Sequence, residues 1–139
     1  MKTYEYDDIP VGHEETLKMR LSLDTEDDFV GLSGDFNPLH YDLNYAATTK
    51  FKRPIAHGMI LGCMLSTLVG TKLPGKHCLL ISQTIDFVKP VYPSDDTFVE
   101  LTGKVVSKQD AAKVLVVQLT FKVEDTLVAR GKALVGVLQ

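Results

Sequence analysis

The strongest constraint on this chain is a change of hydrophobic period partway along it. Ile81, Gln83, Ile85 and Phe87 mark one face of a strand ending near Pro90. Val99, Leu101 and Val105 mark a second strand, and Leu115, Val117, Leu119, Phe121 and Val123 a third. Leu127, Ala129, Ala133, Val135 and Val137 mark a fourth. Period-two alternation of this kind belongs to strands with one buried face. Pro93-Ser94-Asp95-Asp96 and Glu124-Asp125 supply turns, and short connections imply antiparallel pairing. Upstream the pattern differs: from Met59 to about Leu73 nearly every residue is apolar or small. A helix that is apolar all round has to be buried. Gly62, Cys63, Ser66 and Gly70 would let another backbone approach it. Leu17, Met19, Leu21 and Leu23 alternate with Lys18, Arg20 and Ser22 and read as a first strand. The expectation is an α+β fold, an antiparallel sheet of about five strands around one buried helix.

Residues 1–139 read as a single domain, without linker, repeat or low-complexity tract. Asp24-Thr25-Glu26-Asp27-Asp28 resembles a helix start, with Thr25 as N-cap and Asp28 three residues on. Its acidic residues suit the positive end of a helix dipole, and Phe29, Val30 and Leu32 give the helix an apolar side. Leu43 to Lys50 suggests another short helix. The net charge of -3 and the scattered Lys and Arg exclude a nucleic-acid footprint, which needs a basic patch. Cys63 and Cys78 sit in apolar runs without metal-like spacing and read as reduced core residues. The acidic opening residues, Met1 to Asp8, lack the apolar stretch of a secretory signal, and no run is long enough to span a membrane. The expected location is the cytoplasm, or an organelle matrix if a transit peptide has been removed.

The residues that bear chemistry cluster in Ser33-Gly34-Asp35-Phe36-Asn37-Pro38-Leu39-His40. Asn favours turns, Pro fixes its own φ, and Pro pushes the residue before it out of the α region. The loop is therefore stiff and offers the Asp35 carboxylate and the His40 imidazole to one small volume. A positioned acid/base pair is what proton transfer at neutral pH requires. Phe51-Lys52-Arg53-Pro54-Ile55-Ala56-His57-Gly58-Met59 leads into the apolar helix. Gly58 at its start offers a free backbone N–H, a donor suited to a developing oxyanion.

The block from Ser33 to His40, followed by Ala46-Ala47 and by Pro54-Ile55-Ala56-His57-Gly58-Met59, resembles the MaoC-like dehydratases, or (R)-specific enoyl-CoA hydratases. Leu73-Pro74-Gly75 and Phe87-Val88-Lys89-Pro90-Val91 extend the resemblance over nearly the whole chain, and its length matches the single-repeat form. The resemblance implies a hotdog fold and a homodimer with sheets paired edge to edge. It implies reversible hydration of a trans-2-enoyl thioester to the (3R)-3-hydroxyacyl thioester, with no metal and no cofactor beyond the thioester carrier. Asp35 and His40 would activate water and transfer protons, in an order the sequence leaves open, and Gly58 would hold the thioester oxygen. Asn37 orients either the loop or His40. His57 is a structural residue at the helix start or a hydrogen-bonding group within the site. Met59, Leu65, Ser66, Val69 and Leu134 are candidates for the acyl pocket, as similar positions are in relatives, although plain core packing is the stronger reading of each.

Three other readings compete. A thioesterase would use an Asp-activated water on the carbonyl, which leaves the paired His without a purpose. A non-catalytic acyl-binding subunit has no need of an intact Asp35 and His40. A metal enzyme using Asp35, His40 and His57 lacks helical ligand spacing. Acyl carrier protein could replace CoA as the carrier, and Lys50, Lys52, Arg53, Lys72, Lys76 and Lys89 are candidates for a basic rim that would suit either.

Overall fold

The computed structural model describes residues 1–138. Its strands are β1 (Glu14–Arg20), β2 (Cys78–Phe87), β3 (Phe98–Gln109), β4 (Val114–Val123) and β5 (Thr126–Val137). Its helices are α1 (Leu23–Ser33), α2 (Leu43–Thr48) and α3 (Ile60–Thr71), with short 3-10 turns at Tyr6–Asp8 and Pro38–His40. All pairings are antiparallel, in the order β1-β3-β4-β5-β2. Helix α3 touches β1 and β2, the two edge strands, as well as β3. The sheet therefore curls until both of its edges meet one helix, the hotdog arrangement. Among the described residues no helix is long and apolar enough to cross a membrane.

The alternating residues form the core as their period requires. Val99, Leu101, Val105, Leu115, Val117, Leu119, Phe121, Ala129 and Val135 are sealed from solvent against Ile60, Met64, Leu65 and Leu68 of α3. Fully burying a side chain of this size stabilises by roughly 1.5–3 kcal/mol. In β3, Gly103 stands where a side chain would strike α3: an added Cβ would lie 2.6 Å from Leu68 Cδ2. The notch lets the helix settle onto the sheet.

Four details depart from the sequence reading. The first strand ends at Arg20, and Leu23, expected on its inner face, opens α1 and is exposed. The helix is capped by Ser22 rather than Thr25. Ser22 Oγ accepts from Thr25 N–H at 3.4 Å, and Thr25 Oγ1 accepts from Ser22 N–H at 3.2 Å. A Ser three residues before a Thr closes this reciprocal box as well as the Thr–Asp pair would, and it turns the chain one helical turn sooner. Next, α3 buries only one face: Met64, Leu65 and Leu68 are covered, while Cys63, Ser66 and Thr67 are exposed. Cys63 is thus not a core residue, because it lies on the stripe of small side chains turned away from the sheet. Cys78 is part-buried, and desolvation raises its thiol pKa. Finally, β2 carries a bulge between Leu80 and Ser82, which leaves Ile81 exposed instead of in line with Ile85.

Candidate active site

The motif loop is built from local hydrogen bonds. Gly34 ends α1 in the left-handed region (φ 74°) and returns its N–H to the Val30 carbonyl at 2.8 Å. Any side chain at that φ would be strained. Ser33 Oγ then accepts from Asp35 N–H at 3.1 Å, Asp35 Oδ1 from Asn37 N–H at 3.1 Å, and Asn37 Oδ1 from Leu39 N–H at 2.9 Å. Asn37 is therefore the cap of the 3-10 turn that carries His40. This relay of side chain to backbone two residues on fixes the loop without burying it.

His40 is held from outside the loop. Its Nδ1 donates to the Ile55 carbonyl at 2.7 Å, and Ile55 N–H donates back to the Leu39 carbonyl at 3.3 Å. With Nδ1–H engaged, the neutral ring carries its lone pair on Nε2. The His40 ring stacks on that of His57, with centroids 3.6 Å apart and planes at 25°. His57 is buried; its Nε2 meets the Asp35 carbonyl oxygen at 2.9 Å and stands 3.6 Å from Asp35 Oδ2. His57 thus bridges the two residues singled out in the sequence. Behind it, Glu26 of α1 is also buried. Its carboxylate pairs with His57 Nδ1 and accepts the His57 backbone N–H at 3.1 Å.

A cleft of about 450 Å³ opens beside this group. His40 and residues 55–59 form one wall and residues 87–91 another, with Leu21, Lys50, Phe51 and Leu61 completing it. Among the described residues neither the Gly58 nor the Met59 amide finds an acceptor, as expected just before the first turn of α3. The ring of Phe87 lies over Gly58, where an added Cβ would stand 2.8 Å from it. Glycine at this junction makes room for the cleft wall.

The remaining candidates are dispersed. Asp35 and Asn37 sit on the exposed rim and do not line the cleft, whereas Met59 does. Leu65 and Val69 are packed in the core, and Ser66 lies on the open stripe of α3. Leu134 pairs with Val116 and Ser82 and so lies on the sheet face away from α3, because its neighbours Ala133 and Val135 point inward. Within one chain, none of these four reaches the cleft. In the sequence Glu26 is one of several helix-start acids. Its spacing to Phe29 and Val30, three and four residues on, was the available sign that it shares their inward face. Glu26, His40 and His57 bring potential metal-ligand atoms within 4.8 Å of one another. Both nitrogens of His57 and Nδ1 of His40 are already committed to hydrogen bonds.

Comparison with known proteins fits this architecture. The chain belongs to the MaoC-like dehydratase family, whose domain, described as "MaoC like domain", matches residues 8–126. It is 42% identical over 93 residues to the (R)-specific enoyl-CoA hydratase of Aeromonas caviae, covering 67% of this chain and 69% of that one. It is 34% identical over 138 residues to the 3-hydroxybutyryl-CoA dehydratase of Methylorubrum extorquens, covering 99% and 86% respectively. The solved structure of the (R)-hydratase from A. caviae involved in PHA biosynthesis superposes with a TM-score of 0.86. It covers 93% of this chain and 97% of that one at 33% identity.

Proposed function

We propose that this protein is an (R)-specific enoyl-CoA hydratase, adding water reversibly to a trans-2-enoyl-CoA to give the (3R)-3-hydroxyacyl-CoA. The observation that carries the reading is the state of His40. Its Nδ1 is spent on the Ile55 carbonyl, so Nε2 is free for proton transfer at a cleft that also holds the unsatisfied Gly58 amide. The thioester carbonyl makes C3 electrophilic. Water held by Asp35 and His40 loses a proton to this pair as it attacks C3, and the pair returns a proton to C2. Charge gathering on the thioester oxygen is met by the Gly58 N–H, fixed in advance at the mouth of α3. The reaction needs no metal or further cofactor. Lys50 and Lys89 on the cleft walls suit the phosphates of CoA, and would equally suit acyl carrier protein.

The same reading makes the protein a homodimer. Strand β2 is an edge strand of 10 residues, and Leu79, Ile81, Phe87 and Val88 along and just beyond it are all about half exposed. A long apolar edge invites a partner strand. Antiparallel pairing of β2 with β2 of a second copy would cover it, together with the open stripe of α3 bearing Cys63 and Ser66.

The test is the loss of enoyl-thioester absorbance from crotonyl-CoA and from longer trans-2-enoyl-CoAs, with chiral analysis of the product. Formation of the 3R alcohol is expected, and Asp35→Ala or His40→Ala should reduce turnover by roughly 100-fold or more. Release of free thiol, or full activity in both variants, would overturn the assignment. Faster turnover of the acyl-carrier-protein thioester would change the carrier and leave the chemistry.

A further inference from the structure

The proposed chemistry uses Asp35, His40 and Gly58, yet the most deeply buried ionisable pair in the region is Glu26 with His57. Their exposures are 5% and 3%. Acidic side chains are seldom sealed off unless partnered, and here every polar atom has a defined role. His57 Nδ1 faces Glu26 Oε2, and His57 Nε2 faces the Asp35 backbone carbonyl oxygen at 2.9 Å. A neutral imidazole has one N–H and one lone pair. In either neutral tautomer beside a Glu26 carboxylate, that lone pair would point at an oxygen lone pair. The arrangement requires one more proton, with Nε2–H intact and the second held between Nδ1 and Glu26. The other carboxylate oxygen accepts the His57 backbone N–H at 3.1 Å, so Glu26 grips ring and main chain together.

This ring is also the piece that locates the catalytic candidates. Through Nε2–H it holds the backbone of Asp35, whose side chain has only the Asn37 N–H, at 3.1 Å, to orient it within its own loop. One face of the ring carries His40 at 3.6 Å, and Phe29 of α1 approaches at 4.8 Å with a tilt of 47°. Turning the His57 ring would therefore break its stack with His40.

We infer that Glu26 and His57 are a positioning pair: the Glu26 carboxylate holds the His57 ring and main chain in place, and that ring sets where Asp35 and His40 stand. The role rests on the hydratase reading above, although the geometry of the pair does not.

Two measurements test the pair. In protein labelled with ¹⁵N-histidine, the His57 Nε2 should carry a proton that exchanges slowly with solvent, because it is buried against the Asp35 carbonyl oxygen. A bare Nε2 in the wild type would overturn the inference, whatever the variants do. The second measurement is the kinetics of Glu26→Ala, which removes both acceptors and frees the ring. The expected result is a kcat lower by roughly 10- to 100-fold, with KM changed by less than about 3-fold, because the pair acts through Asp35 and His40. Glu26→Gln still accepts the His57 backbone N–H and can donate to Nδ1, so it should recover part of kcat. A folded E26A with wild-type kcat would reduce the pair to a structural role and refute the inference. Absence of hydration by the wild type would refute the functional reading instead, leaving the ring geometry to be judged by its own spectrum.

Discussion

If Gly103 exists to admit Leu68, trimming Leu68 should make a side chain at 103 tolerable. Leu68 is fully buried on α3, and a Cβ at residue 103 would lie 2.6 Å from its Cδ2 and 3.2 Å from Val117 Cγ1. The first distance is about 1 Å short of an ordinary carbon–carbon contact. Gly103→Ala alone should therefore cost about 1–3 kcal/mol through overpacking. Leu68→Ala alone removes three carbons worth about 0.8 kcal/mol each and leaves a cavity, for a loss of about 2–5 kcal/mol. In the double variant the new methyl enters space vacated by Cδ2. Its clash disappears and part of the cavity is filled, so the combined loss should fall short of the two single losses by about 1–3 kcal/mol. The residual closeness to Val117 keeps the rescue incomplete. Urea unfolding of the four proteins at one fixed protomer concentration gives the cycle, since association would otherwise shift apparent stability. Losses that add within about 0.5 kcal/mol would show that the notch does not seat the helix.

Other consequences are measurable in the same system. Gly58→Ala places a methyl against the Phe87 ring, which is half exposed and can swing outward. Stability should change by less than about 1 kcal/mol, while KM rises several-fold as the cleft narrows, read from enoyl-CoA saturation curves. Asn37→Ala removes the cap on Leu39 N–H and should cost about 1 kcal/mol, with a fall in kcat as His40 loosens. Burial, and then the hydrogen bond to Asp110, push the Tyr6 phenol up to about 12. The neutral phenol is favoured in the fold, so its contribution to stability is complete below pH 10 and is lost as pH rises towards about 12. Tyr6→Phe should flatten the alkaline limb of a stability–pH curve. An unchanged limb would remove Tyr6 as its cause. For Glu15, burial works against the charge, but hydrogen bonds from Lys2 and His13 outweigh it and lower the carboxyl pKa. Its contribution therefore stands above the ordinary carboxylate range and is lost as pH falls, so Glu15→Gln should lower stability at neutral pH and flatten the acid limb of a stability–pH curve.

Period-two patterning marked β4, β5 and β3 as far as Val105 because one face of each is buried there, so every second residue answers to the same constraint. The motif loop was legible for a related reason. Its geometry is set by Ser33, Asp35, Asn37 and Pro38 acting on backbone atoms within two residues. The cap of α1 was misplaced because Ser22–Thr25 and Thr25–Asp28 are equally good boxes locally, and only the packing of Phe29 and Glu26 inward selects the first. The exposure of Cys63 was likewise hidden, since an apolar run does not say which side of a helix meets the sheet.

The sequence by itself thus determined the kinds of element, the stiff loop and the residues able to move protons, all of them matters of short-range geometry. The tertiary structure alone decided which distant groups meet. Glu26 and His57 lie 31 residues apart, and His40 reaches Ile55 across 15. No local rule couples such positions. They come together because α1, the motif loop and the entry to α3 are all held against one curled sheet, and burial then forces their polar atoms to find one another.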